Sequence, residues 1–411
     1  MIPRAPFYAV ALGLLLPLVS GAQGADVPLT LADAVRRATT VGPAAALAAG
    51  RRASIVGRAR TDAQWANPTL ELRRENEGAP IPYDDFATLT LPIDITGRRF
   101  ALRSALGAAR TRAVADSIAT TFGTEYATAV AWWESWAADQ LARFAATQAE
   151  RFAELARYDS LRAAEGEVAE ATAMRMQLES DRARFTAAQA RAAAVNARAL
   201  LAALVGRDDP AALVLADAVV ATDALPDEAT MIATARRDHP LLASARAAAR
   251  EAERRHAAES RGALPDVGLS GGYKGTGGFS TATFGVILTP PLLNLNGGNR
   301  ERTAGEEIIA TAELRAAELR VVAEARAALA AAQALDDGTS AFDAGFAARA
   351  DLVASAADAA YREGAATLTE LFEAHRARAE ARAAGVRGQM DRALTRLALR
   401  RAMGASALEA K

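Results

Sequence analysis

At 411 residues the chain is long enough for two or three ordinary domains, and its formal net charge of −1 gives none of the basic excess that nucleic acid attracts. It has no cysteine, which rules out disulfides and a lipid-modified cysteine anchor. Past the N-terminal segment no run of about eighteen apolar residues occurs, so any membrane insertion must use strands.

The chain opens MIPRAPFYAVALGLLLPLVSGAQG. Arg4 supplies a positive start, Phe7 to Val19 an apolar stretch too short to cross a bilayer with ease, and Ser20-Gly21-Ala22 a run of small residues. This pattern predicts a secretory signal peptide over residues 1–22, cleaved after Ala22.

From there the sequence predicts a helix from Leu31 to Ala66, then two short strands over residues 67–78 and 84–95. In the first strand Leu70 and Leu72 share one face, opposite Thr69, Glu71 and Arg73; in the second Ala87, Leu89 and Leu91 oppose Thr88 and Thr90. This period of two gives each strand one apolar and one polar side. After Pro92 and Gly97 a helix runs to about Tyr158, ~90 Å at 1.5 Å per residue. That length suits a coiled-coil column better than a globular domain. A break at Gly166 and a last helix ending near Gly206 complete the unit.

The order then recurs. Pro43 falls on Pro240 and Pro68 on Pro265, both 197 residues on (240 − 43; 265 − 68), while Gly166 falls on Gly364 and Gly206 on Gly404, both 198 residues on (364 − 166; 404 − 206). Constant spacing over four landmarks indicates a tandem duplication, with copies over residues 23–226 and 227–411. The second copy repeats the first helix (Asp227 to Gly262), the strands (264–276 and 279–290) and the tip break at Gly364. Val267, Leu269 and Tyr273 align on one side of its first strand; Ala282, Phe284, Val286 and Leu288 align on one side of the second. Four strands cannot close a barrel, and an open edge is not viable in lipid, so membranous strands would require several chains to share one barrel.

The helix after Gly298 carries two apolar stripes on nearly opposite flanks. One holds Ile309, Ala312, Ala316, Leu319 and Ala323; the other Leu314, Ala317, Val321, Ala325 and Ala328. Charged residues lie between them. A helix buried left and right but wet inside and outside belongs in the wall of a tube, where an ordinary bundle helix shows one stripe.

LTLADAVRRATTVGP, NPTLEL, LPIDITGRR, HPLLASARA, LPDVGLSGGY, LTPPLLNLNGGNR and YREGAATLTELFEAHRA, in this order and at this spacing, resemble the TolC-like outer membrane factor family over nearly the whole mature chain. NPTLEL and LPIDITGRR lean toward the branch that serves heavy-metal efflux pumps. The resemblance implies a mainly helical homotrimer with a shared twelve-stranded β-barrel in the outer membrane and a long periplasmic coiled-coil tunnel. It implies a periplasmic adaptor (membrane fusion) protein and an inner-membrane transporter of the RND type as partners. The chain would serve as the passive outer-membrane exit duct of a tripartite efflux system. A duct for type I protein secretion and a periplasmic coiled-coil scaffold without a barrel are the competing readings. On the leading one, Leu70, Leu72, Leu89, Leu91, Val267, Leu269, Phe284, Val286 and Leu288 face lipid.

The resemblance also places a periplasmic gate at the helix tips. Tyr361, Gly364, Glu370 and Glu373 match the family motif in the second copy; in the first, Ala163 stands for the tyrosine and Thr172 for the acid, with Glu167 and Glu170 close by. Adaptor docking would use Gly166, Val168, Ala169, Gly364, Ala366 and Thr367. No enzymatic constellation is visible and no cofactor is implied. His239, His256 and His375 are scattered without metal-ligand spacing. Met174 and Met176 read as helix packing, Trp132, Trp133 and Trp136 as core, and the glycines of GGYKGTGGFST as a hairpin tip, since they lack phosphate-loop spacing.

Overall fold

The computed structural model describes residues 28–76, 83–218, 224–339 and 344–408. The signal-peptide reading and part of the first hairpin's tip fall outside these residues. The first copy comprises α1 (Leu31–Thr40), α2 (Pro43–Asp62), β1 (Thr69–Glu75), β2 (Asp84–Ile93), α3 (Arg98–Ala164) and α4 (Glu170–Val205). The second comprises α5 (Glu228–Asp238), α6 (Pro240–Ser260), β3 (Asp266–Thr276), β4 (Phe279–Thr289), α7 (Gly297–Thr339), α8 (Ala344–Arg362) and α9 (Leu368–Met403).

Two features depart from the sequence reading. Each expected first helix is a pair, broken before Pro43 and before Pro240. Proline holds the preceding residue extended, here Gly42 and His239, and is well placed at the first helical position. The 67 residues of α3 span ~100 Å; its counterpart in the second copy is described as α7 and α8, with residues 340–343 outside the described residues. Second, the left-handed residue that turns the second copy into α7 is Asn296 (φ 57°), not Gly297 or Gly298. Asn296 tolerates this conformation, and its Nδ2 donates to the Glu259 carbonyl (3.0 Å) and carboxylate (2.8 Å). Gly97 (φ 68°) has the equivalent place before α3.

The four strands form one antiparallel sheet in the order β1-β2-β3-β4. The ladder aligns Leu70, Leu89, Gly271 and Phe284 in one rank and Leu72, Ala87, Tyr273 and Ala282 in the next. Leu91, Leu269 and Val286 form a third rank, Ile93, Val267 and Leu288 a fourth. Directly paired residues share a face, so all four ranks lie on one side. The other side carries Thr69, Glu71, Thr88, Thr90, Ser270 and Thr283. Gly277 and Gly278 both have positive φ and close the β3–β4 hairpin in two residues, the geometry that suits strand twist.

Helix order follows strand order. Near the sheet the neighbours run α2, α3, α6, α7; toward the far end α4 packs on α3, α3 on α9, and α9 on α8. The result is a wall one helix thick, with α1 and α5 packed on it. Side-chain bridges cross it between the copies: Arg98–Glu259 (3.1 Å), Arg112–Glu251 (2.8 Å) and Arg151–Asp358 (3.2 Å). The largest core lies mid-height, where Trp132, Trp133 and Trp136 stack edge to face and pack with Val35, Leu201 and Leu397. The Trp132 Nε1–H donates to the Leu29 carbonyl (3.0 Å), pinning the start of the described chain.

The copies close alike. Gly206 (φ 67°) ends α4 against Gly42 and Pro43; Gly404 (φ 75°) ends α9 against His239 and Pro240. A Cβ on Gly404 would stand 2.7 Å from the Cα of His239.

Candidate functional site: the helix tips and the open edges of the wall

The two tips share a backbone motif. In the first, Glu167 N–H donates to the Arg162 carbonyl (2.9 Å) and Gly166 N–H to that of Ala163 (3.1 Å). In the second, Ala365 N–H donates to Ala360 (2.8 Å) and Gly364 N–H to Tyr361 (3.1 Å). Gly166 and Gly364 are left-handed (φ 80° and 74°), as this helix ending requires. Ala169 and Thr367 then cap the returning helices. Ala169 has no capping side chain, whereas Thr367 forms a reciprocal box with Glu370: Glu370 accepts from Thr367 N–H (2.7 Å), and Thr367 Oγ1 accepts from Glu370 N–H (3.3 Å). The Thr367 N–H first, and the Thr367 hydroxyl donating to the same carboxylate (2.9 Å) second, hold the Glu370 carboxyl below its ordinary range. The second tip is thus the better fixed.

Glu167, Glu170, Glu370 and Glu373 are all exposed, and among the described residues none pairs with another. Glu167 bonds Arg162 (3.1 Å), and Glu170 lies in the first turn of α4, where the helix dipole favours a negative charge. Gly166, Ala169, Gly364 and Thr367 are exposed, Val168 and Ala366 half-buried.

Tyr361 differs from the rest. It is 6% exposed, and its hydroxyl donates to Asp159 Oδ2 (2.7 Å) on α3, an acid with no exposed surface. Burial first, and the neighbouring carboxylate second, push the Tyr361 hydroxyl far up, so it remains a donor. Among the described residues the Asp159 Oδ1 has no hydrogen-bond partner. Leu155, Met176 and Leu371 pack around the pair. It joins the copies one turn from the tips: Asp159 belongs to the first, Tyr361 to the second. Asp159 is absent from the sequence reading. The signal available was a lone acid two turns before Gly166, within a helix where acids are common.

Met176 is buried in the same cluster, while Met174 is exposed. His375 is buried and its Nε2 lies 2.8 Å from Asp358. His239 is buried, caps α6 through its Nδ1 (3.2 Å from Leu241 N) and meets Phe122 edge to face. Among the described residues no group of His, Cys, Asp or Glu is arranged to hold a metal ion.

The wall has two open edges: β1 with α2 and α4, and β4 with α7 and α8. On α7 the stripe of Ala317, Val321, Ala325 and Ala328 turns inward, with Val321 and Ala325 buried against α5 and α6 and their neighbours. The opposite stripe is bare from end to end: Ile309, Ala312, Ala316, Leu319 and Ala323 are all exposed. On the far edge, residues of α2 and α3 line a groove of about 600 Å³ whose walls include Ala45, Ala48, Ala49, Ala53 and Val56.

Residues 231–405 match the family model of outer membrane efflux proteins. The second copy is an outer membrane efflux protein domain. The first copy has helices and strands in the same order, with the single helix α3 in the place of α7 and α8. No curated protein matches the chain in sequence. Among solved structures the outer membrane channel CmeC of Campylobacter jejuni superposes at a TM-score of 0.77 with 15% identity, over 100% of this chain and 95% of that one. The outer membrane protein VceC of Vibrio cholerae gives 0.74 and 17%, over 92% and 96%. CusC gives 0.72 and 16%, over 92% and 93%. The efflux-protein fold therefore extends over both copies. These likenesses are of similar strength and single out no branch of the family.

Proposed function

We propose that this chain is the passive exit duct of a tripartite efflux system. Three copies would close a twelve-stranded barrel in the outer membrane of a diderm bacterium and continue it as a helical tunnel into the periplasm. The observation that carries this reading is the agreement of strand order with helix order, with an open edge on each side: the bare apolar stripe of α7 on one, the alanine-rich groove of α2 and α3 on the other. A contact between two different edges is heterologous, and such contacts form a ring where the rotation closes. Three chains of four strands give an even-stranded barrel, as membrane barrels require. The apolar sheet face supplies the lipid-facing set, and the threonine-rich face the water-filled lumen. A periplasmic adaptor would dock at the short-residue tips, and an inner-membrane RND transporter would supply the energy. The reading includes no chemical step.

The absence of native cysteine makes the test clean. A chain carrying Leu47→Cys on α2 and Ile309→Cys on α7, treated with a flexible bismaleimide, should go to covalent trimers at completion, and either single variant should not. A ladder running past trimer would overturn the ring. The full chain should also restore efflux to a strain lacking its own duct; failure with trimers intact would overturn the transport role.

A further inference from the structure

The apolar face of the sheet is too short to cross a membrane alone. Its four ranks run from Ala87 to Ile93 on β2 and from Ala282 to Leu288 on β4, seven residues in each case. The six steps between the end residues rise ~20 Å along a strand, and a tilt of about 40° leaves ~15 Å along the barrel axis. Membrane barrels present an apolar band of about 25 Å. At the outer end the face is closed by Arg74 and Asp85, which pair at 2.6 Å and lie in rank with Gly275 and Ser280. The missing ~10 Å therefore falls at the periplasmic end.

There, below the last rank, the chain exposes large apolar side chains at every crossing from sheet to helix. Trp65 stands between α2 and β1, Ile95 and Phe100 between β2 and the first turn of α3, and Leu292, Leu293 and Leu295 between β4 and α7. Leu292 follows Leu288 by four residues, a reach of up to ~13 Å. Cations sit among them. The Arg99 guanidinium lies over the Trp65 ring (4.3 Å), and Arg103 and Arg300 are exposed with no ion pair among the described residues. Tryptophan with arginine at one level is the signature of the interface between acyl chains and headgroups, where an amphipathic ring has both an apolar and a wet side.

We infer that Trp65, Ile95, Phe100 and the Leu292–Leu293–Leu295 segment form a collar that sits in the periplasmic leaflet, with Arg99, Arg103 and Arg300 at the phospholipid headgroups, so that the membrane ends below the strands. This rests on the outer-membrane reading above and adds to it a boundary and a lipid contact. In a chain without cysteine the collar supplies the leaflet contact that a lipid anchor would otherwise provide.

Tryptophan fluorescence tests it, because Trp132, Trp133 and Trp136 are buried mid-height and Trp65 alone is exposed. The full chain is reconstituted into phosphatidylcholine–phosphatidylglycerol vesicles brominated either near the carbonyl end or near the methyl end of the acyl chains. The Trp65 signal is the difference between wild type and Trp65→Phe. A Trp65→Phe chain carrying Phe284→Trp reports the middle of the barrel band. The collar predicts loss of most of the Trp65 signal to bromines near the carbonyl end, little loss to those near the methyl end, and strong quenching of the Trp at position 284 by the latter. Quenching at position 284 with none at Trp65 would overturn the collar and leave the barrel standing. If Trp65 were then also shielded from aqueous acrylamide, a neighbouring copy would be its cover. Trp65 quenched most by the deep bromines would put it at mid-membrane and overturn the headgroup assignment. No quenching at either position would remove the membrane reading itself.

Discussion

Replacing Tyr361 by Phe removes one oxygen and strands a buried carboxylate. Asp159 has no exposed surface, its Oδ2 accepts from Tyr361 at 2.7 Å, and its Oδ1 has no hydrogen-bond partner among the described residues. A hydrogen bond to a charged group contributes about 1.5–3 kcal/mol, and leaving such a group desolvated places the loss toward the upper end, ~3 kcal/mol. Because the pair ties the second copy to α3 beside the tips, that energy opposes parting of the tips. About 3 kcal/mol is roughly two powers of ten in the ratio of closed to parted tips. Single-channel conductance in planar bilayers should rise for Tyr361→Phe, and protease should nick the tips sooner. The Tyr361 hydroxyl is pushed up by burial and by Asp159, so the difference from wild type should not vary between neutral and mildly alkaline pH. Adding Asp159→Ala removes the stranded partner, and the double variant should lose less than Tyr361→Phe alone. Unchanged conductance and proteolysis in Tyr361→Phe, or a double variant as damaged as the single, would refute the claim that this bond holds the tips.

Four further outcomes follow from the geometry. Leu89→Arg or Phe284→Arg should cost ~2–4 kcal/mol per chain near mid-membrane and abolish heat-resistant trimers, whereas Thr88→Arg or Thr283→Arg on the opposite face should keep them; equal yields would invert the faces. Gly404→Ala must hold a left-handed conformation and meet the His239 Cα, so it should lower the melting temperature more than Gly166→Ala, which has the strain of ~1–2 kcal/mol without the clash. Glu370→Ala removes the reciprocal half of the capping box and should speed amide exchange at the start of α9; if Glu370→Ala with Glu373→Ala also leaves cation selectivity unchanged, Glu370 is a cap and no part of a selectivity ring. Burial holds His239 below the ordinary histidine range, with Glu324 opposing the shift and Arg401 adding to it. The unfolded chain then binds the extra proton, so stability is present above pH ~6.5 and falls as pH drops below it. His239→Asn, which can still cap α6, should flatten the fall in melting temperature between neutral and mildly acid pH.

What could be read in the sequence was what repeats. Alternation at Leu70, Leu89, Val267 and Phe284 has a period of two, and the paired stripes on α7 have a period near 3.6, so each signal is summed over many residues. The doubled Gly–Pro landmarks likewise match a contact made twice, Gly206 on Pro43 and Gly404 on Pro240. What escaped was decided by single side chains. Asp159 is one acid among many in an Ala/Arg helix, and only packing against Tyr361 distinguishes it. Asn296 took the left-handed position because its amide reaches Glu259, a partner 37 residues away, while two adjacent glycines offered the easier guess. The Thr367–Glu370 box is spelled out as Thr-x-x-Glu, a helix-start signature, but the sequence reading takes Thr367 as a docking residue and Glu370 as a gate charge, and neither as a cap.

A wall one helix thick has a thermodynamic consequence. Away from α1 and α5, which pack on α3 and on α7 and α9, each helix stabilises the chain through its left and right neighbours, since the other two sides are wet. A lone protomer lacks a neighbour at both edges and leaves Ile309, Leu319 and the α2–α3 groove in water. Folding and association are then one equilibrium, governed by mass action, and dilution acts as a denaturant. In detergent the melting temperature should climb with protein concentration, and a value quoted without that concentration would describe the sample and not the molecule.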